Sequence, residues 1–527
     1  MSTPEAKKSS LLGSATTVSA WTAFSRVLGL VREQVMAFIF GAGMATDAYV
    51  TAFRIPNLLR DMFAEGALSS AFVPTFKERL VAGSKDEAFH LANVVMTAIL
   101  VVVGLVVLLG IVAAPLLIYV FAHGFTADAV KFDLTVSMTR IMMAYLLLVS
   151  LSALVMGMLN SFGRFGLPAL SPAMFNLGTI VVVLAFYKVM DPPIYTMAIG
   201  VLVGGLGQVA IQLPALLRIG YRFRFTISLF DAGLRRVMRL LTPMIIGLSA
   251  GRINILVSTL IASFLAEGAI SYLNYSYRLM HFPLGVFAVA IGTVALPQVA
   301  ELVARRQHDR VGDTFLNAVG LNSFVVIPSA VFLALMGRPL VDLVYQWGAF
   351  SSLDSEQTAL ALLHYSYGLV GFAVVRVVVP FYYAYEDSRL PMKISILAVV
   401  VNLVLYAPLV WLLGFAGLAA ATSLAALLNA GLLIWFLPRK GVAVSFGRLA
   451  FHTARITVIA LVAFYVARVI PYDAVIALDD GLPQRTLAVI LPALVGAVLY
   501  VAFSLALRTR EITLLRNRLV RRRRAGN

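Results

Sequence analysis

The stretch SRVLGLVREQVMAFIFGAGMATDAYVTAFRIPNLLRDMFAEGALSSAFVPTF, residues 25–76, places four arginines inside segments that are otherwise apolar enough to span a membrane. Eight arginines in the whole chain have such surroundings: Arg26, Arg32, Arg54, Arg60, Arg140, Arg252, Arg278 and Arg376. A charged side chain at the centre of a bilayer costs between about 3 and more than 10 kcal/mol unless water or a counter-ion solvates it. The pattern therefore predicts a polar, positively charged chamber inside a helical membrane protein, and such a chamber suits an anionic substrate.

The composition of the chain is typical of a polytopic membrane protein. Of its 527 residues, 61% are hydrophobic and 13% are charged, and the mean hydropathy is +0.92. Soluble domains are nearer about 45–50% apolar and about 25% charged. The polar start MSTPEAKKSSLLGS lacks a small-residue cleavage site, which predicts an uncleaved cytoplasmic tail.

Windows of about 20 apolar residues predict fourteen membrane-spanning helices. They lie near 12–40, 45–76, 90–121, 133–159, 167–187, 194–217, 234–264, 269–303, 314–345, 357–385, 391–412, 416–437, 450–470 and 486–507. With the N-terminus inside, 29 of the 42 lysines and arginines fall in cytoplasmic segments and five in outside segments. This asymmetry predicts that both termini are cytoplasmic. The net charge of +17 is then mostly topological, so nucleic acid is not an expected partner, whereas membrane lipids are.

The two halves of the chain resemble each other at an offset of 223–226 positions. The matched residues are Arg26 with Arg252, Arg54 with Arg278, Pro74 with Pro297, Pro115 with Pro339, Gly124 with Gly348 and Pro168 with Pro391. Each repeat holds six spans, and an even number returns the chain to the same side, so the repeats are predicted to be parallel. The predicted plan is a cytoplasmic tail, an N-lobe, a linker, a C-lobe, two additional spans and a basic cytoplasmic tail, at 1–11, 12–217, 218–233, 234–440, 450–507 and 508–527.

The acidic residues that could neutralise these arginines are few and lie close together in the sequence. They are Glu33, Asp61 and Glu65 within the first two spans, and Asp47 at a membrane edge. Four acids cannot neutralise eight cations, so the cavity is predicted to remain basic. Two explanations account equally well for the presence of an arginine inside a span at four positions: structural pairing with acids or carbonyls, or a role in substrate binding. These positions are Arg54, Arg140, Arg252 and Arg376. For Arg26, Arg32, Arg60 and Arg278 we favour function, because arginines suit a diphosphate bidentately.

Several kinds of chemistry find no support in the sequence. The chain has no cysteine, which excludes disulfides, thiolate metal sites and a cysteine nucleophile. Its six histidines do not cluster, and neither a phosphate-binding glycine loop nor a catalytic triad spacing is present. We therefore expect a protein that is not an enzyme and that needs no cofactor or metal.

Residues 25–76 resemble the N-terminal hallmark of the MurJ (MviN) family of lipid II flippases, which belong to the multidrug/oligosaccharidyl-lipid/polysaccharide exporter superfamily. The stretch SYRLMHFPLGVFAVAIGTVALPQVAE, residues 276–301, resembles the matching element of the second half. The resemblance implies an all-α fold of two six-helix lobes around a central cationic cavity. It also implies that the last two helices, within 450–507, form a groove for the polyprenyl tail of the substrate.

The resemblance also assigns roles to individual residues. The functional arginines of the family fall on Arg26, Arg32, Arg60 and Arg278, with Asp47 and Glu65 as matching acids; Arg54, Glu33 and Arg252 are supporting residues. The sequence departs from the family where Asp61 replaces a second basic residue and where Glu33 stands in place of a common Asp. Tyr277 stands where some members carry an acid. Ser258 stands where some members have Asp, which argues against a cation site there.

The sequence-based hypothesis is therefore a flippase that moves lipid II across the bacterial cytoplasmic membrane by alternating access. We expect it to act as a monomer, with lipid II and membrane lipids as partners and cell-wall synthesis proteins as further candidates. A flippase for another polyprenyl-diphosphate-linked glycan fits the arginines equally well and differs in the headgroup. A drug/cation antiporter would need cavity carboxylates, and a scaffold without transport would not need so many intramembrane charges.

Overall fold

The computed structural model describes residues 4–63, 67–228, 230–284, 289–469 and 481–512. Helices make up 85% of the chain, and no strand occurs in these ranges. The all-α fold class predicted from the sequence is thereby confirmed. The helix packing divides the chain into two compact units, Met1–Ser271 and Tyr272–Asn527.

The first unit is a bundle in which α8 packs against α1 and α9, α2 packs against α6, and α11 packs against α2 and α3. Its helices are α1 Pro4–Phe40, α2 Met44–Phe63, α3 Ala67–Ala82, α4 Lys85–Val112, α5 Ala114–Phe121, α6 Ala129–Met143, α7 Tyr145–Ser161, α8 Gly166–Phe186, α9 Tyr195–Ala210, α10 Leu213–Arg218 and α11 Ala232–Ser263. A short 3₁₀ turn, His123–Ala127, precedes α6. The helix α12, Ala269–Pro283, begins at the end of this unit.

The second unit packs around α16 and has two apolar clusters among its described residues. Its further helices are α13 Val289–Ala304, α14 His308–Leu335, α15 Gly337–Tyr345, α16 Ser352–Ala384, α17 Arg389–Leu413, α18 Ala416–Phe436, α19 Phe446–Ala467 and α20 Leu482–Ala506. One cluster, which includes Phe315 and Phe381, joins α14 to α16 and α18. The other, which includes Ile456 and Tyr500, joins α14 to α19 and α20.

Ten of the predicted spans coincide with helices that are long and apolar enough to cross a membrane. These are Lys85–Val112, Ala129–Ser161, Gly166–Phe186, Tyr195–Arg218, Arg310–Leu335, Ser352–Ala384, Arg389–Leu413, Ala416–Lys440, Phe446–Ala467 and Leu482–Ala506. The chain is thus a multi-pass membrane protein. The other four predicted spans, at 12–40, 45–76, 234–264 and 269–303, are helical where they are described and hold six of the eight arginines. The total of fourteen spans stays a prediction.

Two of those four charged spans include residues that the structure does not describe. The described part of 45–76 lies in α2 and α3, and most of the described part of 269–303 lies in α12 and α13. Since α11 belongs to the first unit by its contacts, that unit extends further than the predicted N-lobe. The lobe boundaries proposed from the sequence stay predictions.

A tight turn between α1 and α2 determines where the second helix begins. Gly41 has φ of +63°, a left-handed conformation that glycine adopts without the steric cost of a side chain. Thr46 at the start of α2 donates its hydroxyl to the Gly41 carbonyl at 2.9 Å. This turn places Asp47 in the first turn of α2, where a carboxylate is favoured by the helix dipole.

Candidate functional site

Helix α1 carries a buried ion pair between consecutive residues. Arg32 Nη2 lies 2.6 Å from Glu33 Oε1, and the two residues are only 6% and 3% exposed. The Arg32 guanidinium carbon also lies 5.0 Å from the centre of the Phe175 ring on α8, a cation–π distance. A buried charge is tolerated when it is paired in this way. Arg32 is therefore held in one place by an acid and an aromatic ring.

The helix packing beside this pair leaves little freedom. A Cβ atom on Gly204 of α9 would lie 2.5 Å from the Phe175 carbonyl oxygen, and one on Gly178 would lie 2.6 Å from the Gly204 Cα. One residue further along α8, the Asn176 side-chain amide donates to the Ser25 carbonyl at 3.1 Å. Glycines thus let α8 and α9 pack backbone to backbone, and α8 in turn positions α1 at both Arg32 and the neighbour of Arg26.

The remaining arginines of the first unit differ in exposure. Arg26 is exposed on α1, and Arg60 is half-buried near the end of α2. Arg54 is half-buried and donates to the hydroxyl of Thr259 on α11, which is 2% exposed. Arg54 therefore joins α2 to α11.

A second buried carboxylate, Asp47, gathers four donors around it. Lys131 Nζ lies 3.0 Å from Oδ2, and the Gly268 backbone N–H donates to the same oxygen at 2.9 Å. The Ser271 backbone N–H and hydroxyl donate to Oδ1 at 2.9 and 2.7 Å. Asp47 is 1% exposed, and Lys131 Nζ also lies 4.3 Å from the centre of the Phe125 ring. We call Asp47, Lys131, Gly268 and Ser271 the Asp47 cluster.

Two further hydrogen bonds strengthen the same end of the first unit. The Met44 backbone N–H donates to Glu267 Oε1 at 2.7 Å, and the Gly124 backbone N–H donates to the Ser263 hydroxyl at 3.0 Å. Both join an earlier segment to the turn between α11 and α12. The sequence predicted a role for Asp47 but none for Lys131. A lysine at the start of a predicted span, opposite a membrane-edge acid, was the available signal.

The second unit brings together two arginines and a histidine. Arg278 and Arg376 are exposed, and both interact electrostatically with the half-buried His281. The His281 ring is stacked 4.0 Å from that of Tyr277, and Phe372 lies 6.3 Å away. The sequence had suggested Arg278 as a binding residue and left Arg376 undecided. The three-residue spacing of Arg278 and His281 on one helix was the signal for including His281.

Some predicted site residues cannot be placed. Glu65 lies outside the described residues, and so do the side chains of Asp61 and Arg252. Arg140 lies on α6, where its Nε donates to the Ile111 carbonyl at 3.3 Å. Within the described ranges, no three histidine or acidic side chains meet as a metal site would require.

The chain is a multi-pass helical protein with buried paired charges in its helices and further arginines that are exposed. These features are typical of membrane transporters. The sequence model of the family described as "Lipid II flippase MurJ" matches residues 36–474, so the chain belongs to that family. The family resemblance found in the sequence is thus confirmed.

Individual relatives match along most of their length. A probable lipid II flippase MurJ of Vibrio cholerae is 35% identical over 520 residues, which cover 95% of this chain and 97% of the relative. A lipid II flippase MurJ of Burkholderia cenocepacia is 34% identical over 430 residues, covering 81% and 83%.

Solved structures agree in fold. A lipid II flippase MurJ in an inward closed conformation matches with a TM-score of 0.75 and 25% identity, covering 93% of this chain and 99% of that structure. An inward-facing multidrug resistance MATE family transporter of the MOP superfamily matches with a TM-score of 0.67 and 13% identity, covering 78% of this chain and 94% of that structure, which indicates a shared fold alone.

Proposed function

We propose that this protein flips lipid II, the undecaprenyl-diphosphate-linked disaccharide-pentapeptide, from the inner to the outer leaflet of the bacterial cytoplasmic membrane. The observation that carries the proposal is 35% identity along 95% of the chain to a relative named a probable lipid II flippase MurJ. No covalent bond of the substrate changes; the protein moves a diphosphate headgroup that the bilayer alone would exclude.

The proposed architecture has fourteen spans, which are two parallel repeats of six spans each, followed by two additional helices. Helix boundaries in the two units support the duplication. Helices α14, α15, α16 and α17 each begin 223 positions after α4, α5, α6 and α8, respectively. The residues matched in the sequence are related by similar offsets, of 223–226 positions. In this proposal the lobes are 12–217 and 234–440, joined by the linker 218–233, and both termini (1–11 and 508–527) are cytoplasmic.

The proposed substrate contacts are three arginines, of which Arg26 and Arg278 are exposed and Arg60 is half-buried. They would hold the diphosphate, because guanidinium groups form bidentate, charge-assisted hydrogen bonds to phosphate oxygens. Arg376 adds positive charge beside Arg278, and both arginines interact electrostatically with His281. Arg32 is paired with Glu33 and would contribute a fixed charge to the electrostatic field of the cavity. Glu65, Arg54 and Arg252 are proposed as supporting residues.

The Asp47 cluster is proposed as a gate. Its four donors join the start of α2 to the start of α6 and to the turn before α12, at the end of the first unit that the topology places outside. If that end opens, either the hydrogen bonds to the Asp47 carboxylate break or the segments that donate them move together with Asp47. Such a discrete arrangement is what an alternating-access transporter needs in order to hold one state until substrate changes the balance.

The lipid tail would remain in the bilayer beside the two last spans within 450–507. Exposed apolar side chains line both helices there, among them Tyr465 at 67% and Val498 at 66% exposure. A polyprenyl chain can lie on such a surface without crossing the polar interior. The protein would act as a monomer, with cell-wall synthesis proteins as candidate partners.

Complementation tests the proposal. The flippase of a host is depleted, this protein is expressed, and lipid II in the outer leaflet is measured by cleavage with an externally added enzyme. Growth and cleavage should return with the native chain and with Arg468→Ala, an exposed control arginine at the end of α19. Both should be lost in Arg278→Ala at equal protein level. Failure of the native chain despite good membrane expression would favour another polyprenyl-diphosphate-linked glycan as the substrate.

A further inference from the structure

Arg140 combines a structural contact with an unused hydrogen-bonding capacity. Its Nε donates to the carbonyl of Ile111 at 3.3 Å. In a continuous helix that carbonyl would accept from the residue four positions later, but this residue is Pro115, which has no N–H. Arg140 therefore satisfies a carbonyl that the proline leaves without its helical donor. The described contacts give the two terminal amino groups of Arg140 no partner, and the side chain is exposed.

The surroundings of Arg140 are those of a membrane-facing surface. Next to Ile111, the residues Leu109 and Val112 of α4 are 59% and 77% exposed, and Leu116 of α5 is 62% exposed. Large apolar side chains exposed side by side are expected where acyl chains surround a protein. A guanidinium group in that position needs water or an anion, because hydrocarbon does not solvate it.

A pocket of about 510 Å³ provides the space for such a ligand. It lies between α6, α9 and the segment that joins α8 to α9, and Arg140 and Asp191 contribute opposite charges to its wall. Asp191 is exposed and forms no ion pair among the described residues. Ser137 and Tyr195 add hydroxyl groups to the lining, and Ile141 and Ile199 add apolar surface.

We propose that this pocket binds the headgroup of one zwitterionic phospholipid that carries a primary ammonium group, a phosphoethanolamine lipid. The terminal amino groups of Arg140 hold the phosphate, and the Asp191 carboxylate accepts from the ammonium. Ile141 and Ile199 contact the first carbons of the acyl chains. Because Asp191 lies in a loop and Arg140 lies within a helix, the ammonium is nearer the aqueous surface than the phosphate, as in a phospholipid leaflet.

The pair of charges selects among headgroups. A purely anionic headgroup gains Arg140 but meets repulsion from Asp191. A choline headgroup has the right charges, but its trimethylammonium cannot donate a hydrogen bond to the carboxylate. The proposed topology places the pocket in the outer leaflet. The site is separate from the residues assigned to lipid II. Its test therefore does not depend on whether lipid II is the substrate.

Native mass spectrometry of the full-length protein in detergent tests the assignment. Dioleoyl phosphatidylethanolamine, phosphatidylglycerol and phosphatidylcholine are titrated in turn, and the dissociation constant of the first bound lipid is measured. The native protein should prefer phosphatidylethanolamine. Arg140→Ala should weaken this lipid about tenfold or more, since charge-assisted hydrogen bonds are lost. Arg468→Ala, a matched exposed arginine, should leave it unchanged.

Asp191→Asn provides the second variant, at an exposed residue of the segment that joins α8 to α9. It should reduce phosphatidylethanolamine binding to the level of phosphatidylcholine and leave phosphatidylglycerol unchanged or stronger. Unchanged phosphatidylethanolamine binding in Asp191→Asn would overturn the proposal even if Arg140→Ala failed to fold. A native preference for phosphatidylglycerol would overturn it as well and identify a site for anionic lipids.

Discussion

Asp47 Oδ2 and Lys131 Nζ lie 3.0 Å apart although 84 residues separate them in the chain. The carboxylate is almost fully buried, and its other contacts come from Gly268 and Ser271, at the turn before α12. One side chain thus connects three segments that are distant in sequence. If these contacts form a gate, weakening them should expose residues beside Asp47.

The absence of cysteine in the native chain makes this exposure measurable. Ala48, which is fully buried beside Asp47, is replaced by cysteine and treated with a membrane-impermeant maleimide in whole cells. Labelling should be slow in Ala48→Cys and several-fold faster when Asp47→Asn is added, because a neutral amide loses the charge-assisted bonds to Lys131 and to the backbone N–H groups.

An exposed position on the same side serves as the control. Val130→Cys, at a residue that is 67% exposed, should label equally with and without Asp47→Asn. Equal labelling rates at Ala48→Cys in both backgrounds would show that the Asp47 cluster does not close this end of the protein.

Removal of Glu33 should leave Arg32 buried without its counter-ion. We expect Glu33→Ala to lower the free energy of unfolding by about 3–5 kcal/mol, the usual penalty for breaking one half of a buried ion pair. The double variant Arg32→Met/Glu33→Leu should recover much of this loss, since it buries apolar groups of similar size. Thermal unfolding in detergent provides the comparison, and a double variant less stable than Glu33→Ala would contradict the pairing.

Positive charge and geometry make different contributions at Arg278. Arg278→Lys keeps the charge but loses the planar fork, so it should retain part of the lipid II exposure that Arg278→Ala abolishes. Arg376→Ala should reduce exposure less than Arg278→Ala, about tenfold or below, because Arg278 itself remains. Outer-leaflet cleavage of lipid II measures all three at matched protein level. Full activity of Arg278→Ala would remove this residue from the site.

The ion pair of Asp387 with Lys440 should make a pH-dependent contribution to the free energy of unfolding. The Lys440 ammonium at 2.6 Å, helped by the backbone N–H of Leu390, holds the pKa of this carboxyl below its usual range. A lowered folded pKa means that the stabilisation is present above the unfolded pKa of about 3.9 and is lost as the pH falls through the folded value. Asp387→Asn, which keeps the side-chain oxygen that caps α17, should cost about 0.2–1 kcal/mol at pH 7.

The difference between the native protein and Asp387→Asn should stay constant from about pH 8 to pH 5 and shrink below about pH 4. Asp313→Asn, at an exposed acid on α14, serves as the control and should show a smaller difference at pH 7. A difference for Asp387→Asn that grew on acidification would have the wrong sign and would refute the account.

The contact between α8 and α9 should not tolerate a methyl group. Gly204→Ala would force its Cβ against the Phe175 backbone, and we expect a loss of about 1–3 kcal/mol. The matched control is Gly104→Ala, in the middle of α4, where nothing lies within 4 Å of the new atom. There alanine should be neutral or slightly stabilising, because glycine is the poorer helix former. Equal melting temperatures for the two variants would argue against the close packing.

The sequence predicted the helical fold well because the bilayer imposes a simple rule. A span of apolar residues must be helical to satisfy its own backbone, and ten such spans coincide with long apolar helices. The other four predicted spans carry six of the eight arginines, and charge lowers the hydropathy by which such spans are recognised.

The sequence predicted charged residues inside the membrane-spanning helices but not how these residues pair. Arg32 and Glu33 are adjacent in sequence, and neighbouring residues on a helix point in directions about 100° apart, so helical spacing did not suggest their contact. Lys131 was missed as the partner of Asp47, and His281 was left out beside Arg278. Each of these contacts depends on how separate helices pack or on a side-chain rotamer, which a single sequence does not encode in any local pattern.

The glycine contact between α8 and α9 has a consequence for how the protein can evolve. Gly204 lies against the backbone of Phe175, whose ring lies against Arg32, so a residue without a side chain determines where a charge is held. A larger residue at 204 requires α8 to shift, and the shift moves the aromatic face away from the guanidinium. Homologues that lack this glycine should therefore show linked changes at the positions equivalent to 175 and 178. A chimera that takes residue 204 from one protein and residues 175 and 178 from the other should lose stability, although each exchange is conservative.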